Sequence, residues 1–171
     1  HLYPPTFGTP VPPRPGQNDR DGLTLWGLDE QLTYHNLVWE VYRVVPAHSR
    51  KGGLAYEEFW KLSKQQQAEH IWKHLFVERA PVSEACRGVL TCLELLGLEV
   101  GKNKDLGKLR KWFAQQDPSK YIDKVMKISN VESITMTNPV FEDNERERWL
   151  KGAELLRGDP RFKSVLRIDP I

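Results

Sequence analysis

Val131-Glu132-Ser133-Ile134-Thr135-Met136-Thr137, a helical stretch from Asp143 to Arg157, and then Phe162-Lys163-Ser164-Val165-Leu166-Arg167-Ile168 decide the fold class. The two outer runs are short and rich in β-branched residues, and Asn138-Pro139 and Asp169-Pro170 stop them. Trp149, Leu150, Leu155 and Leu156 give the middle run an apolar helical face, which Gly158 ends. Strand, helix and strand in succession make a βαβ unit, so the strands are expected to be parallel with a right-handed crossover. Two parallel strands cannot cover their own edges, which implies a larger sheet. The second strand also stops just short of Ile171, where another helix is expected, so the sequence reads as the front part of a longer α/β protein. Folded alone, it would be a mostly helical body with a small sheet.

Upstream the pattern is helical. From Asp29, the residues Leu32, His35, Asn36, Trp39, Tyr42 and Arg43 recur at three and four, and Pro46 closes the run. A second helix is predicted from about Tyr56 to Val77, with Pro81 beyond it, and a third from Ser83 to the stop at Gly97. The Ser83 cap lacks the reciprocal Glu or Gln of a capping box, since Cys86 holds that position. Asp105 to Gln116 and Pro118 to Ile128 fit two more helices, with Asp117 as a cap and Pro118 at a first helical position. The first 28 residues, by contrast, hold Pro4, Pro5, Pro10, Pro12, Pro13 and Pro15 with four glycines, which argues for a long loop. Its Leu2, Tyr3, Phe7, Leu25 and Trp26 suggest that parts of the loop pack on something, and long loops in compact domains are often functional.

Composition narrows the function classes. The 171 residues are 39% hydrophobic and 28% charged, with 25 basic against 23 acidic residues and a net charge of +2. This suits one soluble domain and excludes a disordered or collagen-like chain. Charges nearly cancel and no long run of one sign occurs, so neither nucleic acid nor an anionic membrane is an expected partner, while a small anionic ligand is left open. With no long apolar span and no signal-like segment, a cytoplasmic setting is the expectation. Cys86 and Cys92 lie on different faces of one helix and are expected to be free thiols. Trp26, Trp39, Trp60, Trp72, Trp112 and Trp149 mostly fall on apolar stripes and read as core.

Several short motifs, in order, carry a resemblance. His1-Leu2-Tyr3-Pro4-Pro5 looks like the second half of a His-x-His metal motif and its sequel. Trp72-Lys73-His74-Leu75, then Arg79 and Pro81, then Leu95-Leu96-Gly97-Leu98 follow in a helical block; Ile134-Thr135-Met136-Thr137-Asn138-Pro139 and Val165-Leu166-Arg167-Ile168-Asp169-Pro170 look like two strand ends. Together they resemble the uronate isomerase family, a branch of the metal-dependent amidohydrolase superfamily. The resemblance implies an α/β fold, a partial (β/α)₈ TIM barrel in which residues 1–28 are a Pro-rich active-site loop after barrel strand 1. Residues 29–128 would be a large helical insertion, and 129–171 barrel strand 2, a helix and strand 3. The chain departs from the family pattern at Met136-Thr137-Asn138, which lacks the acidic pair at that strand end, and the first metal His precedes His1 and is missing.

The same resemblance implies an aldose-ketose isomerase of hexuronates such as glucuronate or galacturonate, with a divalent metal, zinc, held by His1, and with the rest of the barrel or a homo-oligomer as partner. Tyr34 and His35 answer, in inverted order, to a His-Tyr pair that reaches the sugar acid, and Arg43 lies two turns on. Arg167 and Asp169 would sit at the C-terminal end of a barrel strand, where barrel enzymes place functional groups, and on one side of it. A guanidinium there suits a uronate carboxylate, which it grips with two parallel hydrogen bonds. Plainer readings stand beside each: His1 as the start of a cut chain or an N-terminal copper chelator, the Tyr34 helix as ordinary amphipathic packing, and Arg167 with Asp169 as a strand-end ion pair. His70 and His74, four apart on one helix, have metal-ligand spacing but no third ligand nearby, so a solvated His70 and a packed or hydrogen-bonded His74 are expected. Two other functions fit the same residues: a hydrolase or decarboxylase of the same superfamily, and a non-catalytic helical interaction module.

Overall fold

Caps set most of the boundaries between elements. The computed structural model describes residues 23–47, 52–101, 104–136 and 160–165. It runs π1 (Leu23–Asp29), α1 (Glu30–Leu32), α2 (His35–Val44), α3 (Tyr56–Lys61), α4 (Lys64–Ile71), π2 (Trp72–Val77), α5 (Glu84–Leu95), α6 (Leu106–Ala114), α7 (Pro118–Ser129), β1 (Ile134–Met136) and β2 (Phe162–Ser164). Ser83 accepts from Cys86 N to start α5, and Asp117 accepts from Lys120 N to start α7, both as the sequence predicts. Gly97, at φ +85°, closes α5, with Leu98 N bonded to Leu93 O at 2.9 Å and Gly97 N to Glu94 O at 2.8 Å. This is the left-handed terminus that glycine adopts without strain.

Four expectations are corrected. The helix predicted over Tyr56 to Val77 is broken at Leu62-Ser63, where Ser63 and Gln66 form a reciprocal capping box: Ser63 N donates to Gln66 Oε1 at 2.9 Å and Gln66 N to Ser63 Oγ at 3.3 Å. Its last part is the π-helix π2, whose wider turn lets Trp72, His74, Leu75 and Phe76 all be buried, more than one ordinary helical stripe accommodates. The Pro-rich segment, read as loop to residue 28, is helical from Leu23, because Leu23 and Leu28 are wholly buried in the core. On α2 the buried stripe is Leu37, Val38 and Val41, not the one through His35, Trp39 and Arg43. The aliphatic residues win the interior, leaving Trp39 61% exposed and Trp60 46% exposed, so these two indoles are not core.

Phe59, Phe76, Phe113, Tyr121 and Ile71 fill the centre among π1, α4, α6 and α7. Trp72 stacks on Phe76 with centroids 4.6 Å apart and donates to Lys104 O at 2.7 Å, tying π2 to the turn before α6. Lys124 Nζ reaches Leu96 O at 2.6 Å, a cation meeting the C-terminal carbonyls of α5. Cys86 is buried and Cys92 half-buried, both free thiols.

The strands are parallel, with Ile134 opposite Phe162 and Met136 opposite Ser164, as a βαβ unit requires. β1 is shorter than expected at its start. Asn130, at φ 53°, ends α7 in the left-handed region, and Val131 N is spent on Met126 O, so the backbone joins the ladder only from Ile134. Arg161 Nη1 meets Asp123 Oδ1 at 2.6 Å and anchors the start of β2 on α7. The helical stretch 143–157 and the ends of both expected strands lie outside the described residues.

Candidate functional site

The break between α1 and α2 presents the sequence-predicted pair. Thr33 Oγ1 donates back to Asp29 O at 3.0 Å, stopping α1, and Tyr34 then takes an extended backbone (φ −61°, ψ 143°) as the N-cap of α2. Tyr34 and His35 therefore stand side by side at the start of a helix, both exposed, with ring centroids 4.1 Å apart. They open onto a groove of about 520 Å³ that continues over Val38, Trp39, Tyr56 and Trp60 to Lys64, whose Nζ lies 3.0 Å from Glu30 Oε2. Tyr34 also borders a second cavity, about 520 Å³, between α2 and α5 with Gln31, Asn36, Gly88 and Cys92 on its walls.

Beneath this break lies a feature that the sequence does not announce. Asp29 is wholly buried at the end of π1 and accepts from Arg110 Nε at 3.1 Å and Nη2 at 3.0 Å, both on Oδ1. Arg110 also donates to Glu69 Oε1 at 2.6 Å and to Gln65 O at 3.0 Å. One guanidinium thus fastens π1, α4 and α6. Burial outweighs the Arg110 hydrogen bonds and charge and raises the Asp29 carboxyl from 3.8 to about 6. Asp29 and Arg110 are 81 residues apart, so no local pattern reveals the pair.

His74 is buried, its Nδ1 2.7 Å from Glu78 Oε2, as the packed reading expects. His70 is half-buried rather than solvated, lying 6.0 Å from the Phe59 ring and 4.6 Å from His74, centroid to centroid. Burial, with the charges of His74 and Lys73, lowers its pKa from 6.5 to about 4. Among the described residues no group of three or more His, Cys, Asp or Glu could hold a metal, so the two histidines do not form one. His1, Arg167 and Asp169 lie outside the described residues. Arg43, the cation expected near Tyr34, is exposed on α2 and does not line the groove.

Among solved structures the chain is similar to a uronate isomerase from Bacillus halodurans C-125, at 42% sequence identity and a TM-score of 0.73 over 99% of this chain. The chain belongs to the uronate isomerase family. It spans 35% of the length of that uronate isomerase. No family model matches the chain, and no curated protein does. Against a uronate isomerase, the exposed Tyr34-His35 pair is the described part of the predicted site. No helix among the described residues is long and apolar enough to cross a membrane.

Proposed function

We propose that this chain contributes to an aldose-ketose isomerase of hexuronates of the glucuronate or galacturonate type. The observation that carries the reading is the 42% identity to a uronate isomerase sustained over 99% of the chain. The reaction moves a proton between C1 and C2 through an enediol, so it needs donors and acceptors on the sugar's oxygens and a fixed cation for its carboxylate. The Tyr34 hydroxyl and His35 imidazole, exposed at one rim of a groove, serve as hydrogen-bonding partners for the sugar. Arg167 takes the carboxylate and faces the same cavity as His1, and Asp169 stands beside Arg167.

In the same reading, residues 29–128 are a helical insertion into a (β/α)₈ barrel whose second and third strands contain β1 and β2; the parallel register supports this. A divalent metal, zinc, belongs to the proposal through His1 alone, since the described residues offer no cluster that fits it. When bound, such an ion would hold the sugar's oxygens. The rest of the barrel and possible further copies of the chain are the partners, and the cytoplasm is the compartment. This chain alone is not expected to turn over substrate, so the test is incubation of the full-length protein, with its barrel complete, with glucuronate and galacturonate, followed by NMR for the ketose. Ketose formation is the expected result; hydrolysis of esters or amides without ketose would overturn the reading in favour of a hydrolase.

A further inference from the structure

The groove beside Tyr34 and His35 is lined on its far side by rings that stand exposed among the described residues. Trp39 is 61% exposed, Tyr56 52% and Trp60 46%. Contiguous exposed aromatic surface of this kind marks a binding site more often than it occurs by chance. The rings are also held in place before any ligand arrives: Tyr42 packs 6.5 Å from Trp39 and 5.8 Å from Tyr56, and Phe59 lies edge-on 5.4 Å from Trp60. At the rim, Lys64 is the lining ammonium, and Glu30 meets its charge at 3.0 Å. A groove with flat apolar walls and a self-neutralised polar rim does not select a carboxylate. It suits a body with apolar faces and hydroxyls around its edge.

We infer that this groove seats the closed pyranose ring of the sugar, its C–H face against Trp39, Tyr56 and Trp60 and its hydroxyls toward His35 and the Lys64-Glu30 pair. The inference rests on the uronate reading for the identity of the sugar and deepens it. Aldohexuronates in water exist almost wholly as rings, whereas isomerisation needs the open carbonyl. A ring subsite next to Tyr34 and His35 captures the abundant form, and the carboxylate is left for a cation elsewhere. The volume of about 520 Å³ lies within the usual range for small-molecule sites.

Two ligands separate ring from chain. Methyl β-D-glucuronopyranoside is locked closed, and galactarate has no aldehyde or ketone with which to form a pyranose ring. Binding of each is measured by calorimetry on the protein and on its Trp39→Ala, Trp60→Ala and Trp60→Phe variants. The locked glycoside is expected to bind at least about 10-fold more weakly to both alanine variants, with Trp60→Phe restoring most of the affinity and galactarate changing less than about 2-fold. Unchanged glycoside affinity in the alanine variants, equal losses for both ligands, or no glycoside binding by the unaltered protein would each overturn the inference. The full-length protein and its variants are used throughout, and ketose formation is assayed on the same preparation. Its absence would overturn the isomerase reading, while the glycoside data alone decide the ring subsite.

Discussion

Burial holds the Asp29 carboxyl at about 6, against an ordinary 3.8, even with Arg110 bonded to it. Because the folded state keeps its proton longer than the unfolded chain does, the contribution of Asp29 to stability is fully present below about pH 4 and is lost as pH rises through 6. The difference corresponds to about 3 kcal/mol for a fully buried group. His70 acts in the opposite sense. Its folded pKa of about 4 lies below the ordinary 6.5, so its contribution is present above 6.5 and lost as pH falls toward 4. The two slopes oppose each other between pH 4 and 6, and single variants separate them. Denaturant unfolding of Asp29→Asn is expected to show stability falling more steeply on acidification than in the unaltered protein, and His70→Gln to show less loss; unchanged profiles would refute the respective assignments. Arg110→Met removes the groups that hold the Asp29 pKa down, so its loss of stability is expected to be larger at pH 8 than at pH 5, reaching about 3 kcal/mol where the buried carboxylate is left charged and unpaired.

At the scale of elements, local chemistry was legible where it acts over three or four residues. Ser83, Asp117-Pro118 and Gly97 announce their helix ends because a cap is a contact between near neighbours. The Ser-x-x-Gln spacing of a capping box was equally available in Ser63-Lys64-Gln65-Gln66, yet the long apolar stripe around it suggests one continuous helix. The turns π1 and π2 carry no such signal, since they follow from which side chains the assembled core accepts. The same holds for Trp39 and Trp60: their spacing is helical, but only the competing stripe Leu37, Val38 and Val41 determines which face goes inside. Ser63→Ala is expected to cost about 1 kcal/mol, the value of a lost N-cap. Gly53→Ala is expected to cost more, about 2 kcal/mol, because an added Cβ would collide with Pro46 O, and a backbone oxygen must move to admit it. Thermal unfolding of the two variants checks both the sizes and the order; a Gly53→Ala variant as stable as the parent would show that the approach of Gly53 to Pro46 relaxes freely.

For the whole molecule, the sequence order of short motifs was enough to reach the family, because each motif keeps a fold position even where its residues are few. It put Tyr34 and His35 within one helix running from Asp29, whereas the structure breaks that helix at Thr33 and leaves the pair exposed at the start of the next. The ion-pair network around Arg110 was not legible: Asp29, Glu69 and Arg110 come from three separated elements and meet only after the helices pack. Arg167 tests whether the resemblance extends from fold to chemistry. A uronate differs from the corresponding neutral aldose chiefly in a carboxylate at the end remote from the reacting carbons, so an arginine devoted to it affects affinity for uronates and leaves neutral sugars nearly alone. A hydrogen bond to a charged group contributes about 1.5 to 3 kcal/mol, which translates to a loss of roughly 10- to 100-fold in kcat/KM. Arg167→Met is therefore expected to lower kcat/KM for glucuronate by that factor while shifting the unfolding midpoint little and narrowing the preference over glucose. If activity on both sugars falls in step with stability, Arg167 holds the strand end together and the carboxylate must be met by another cation.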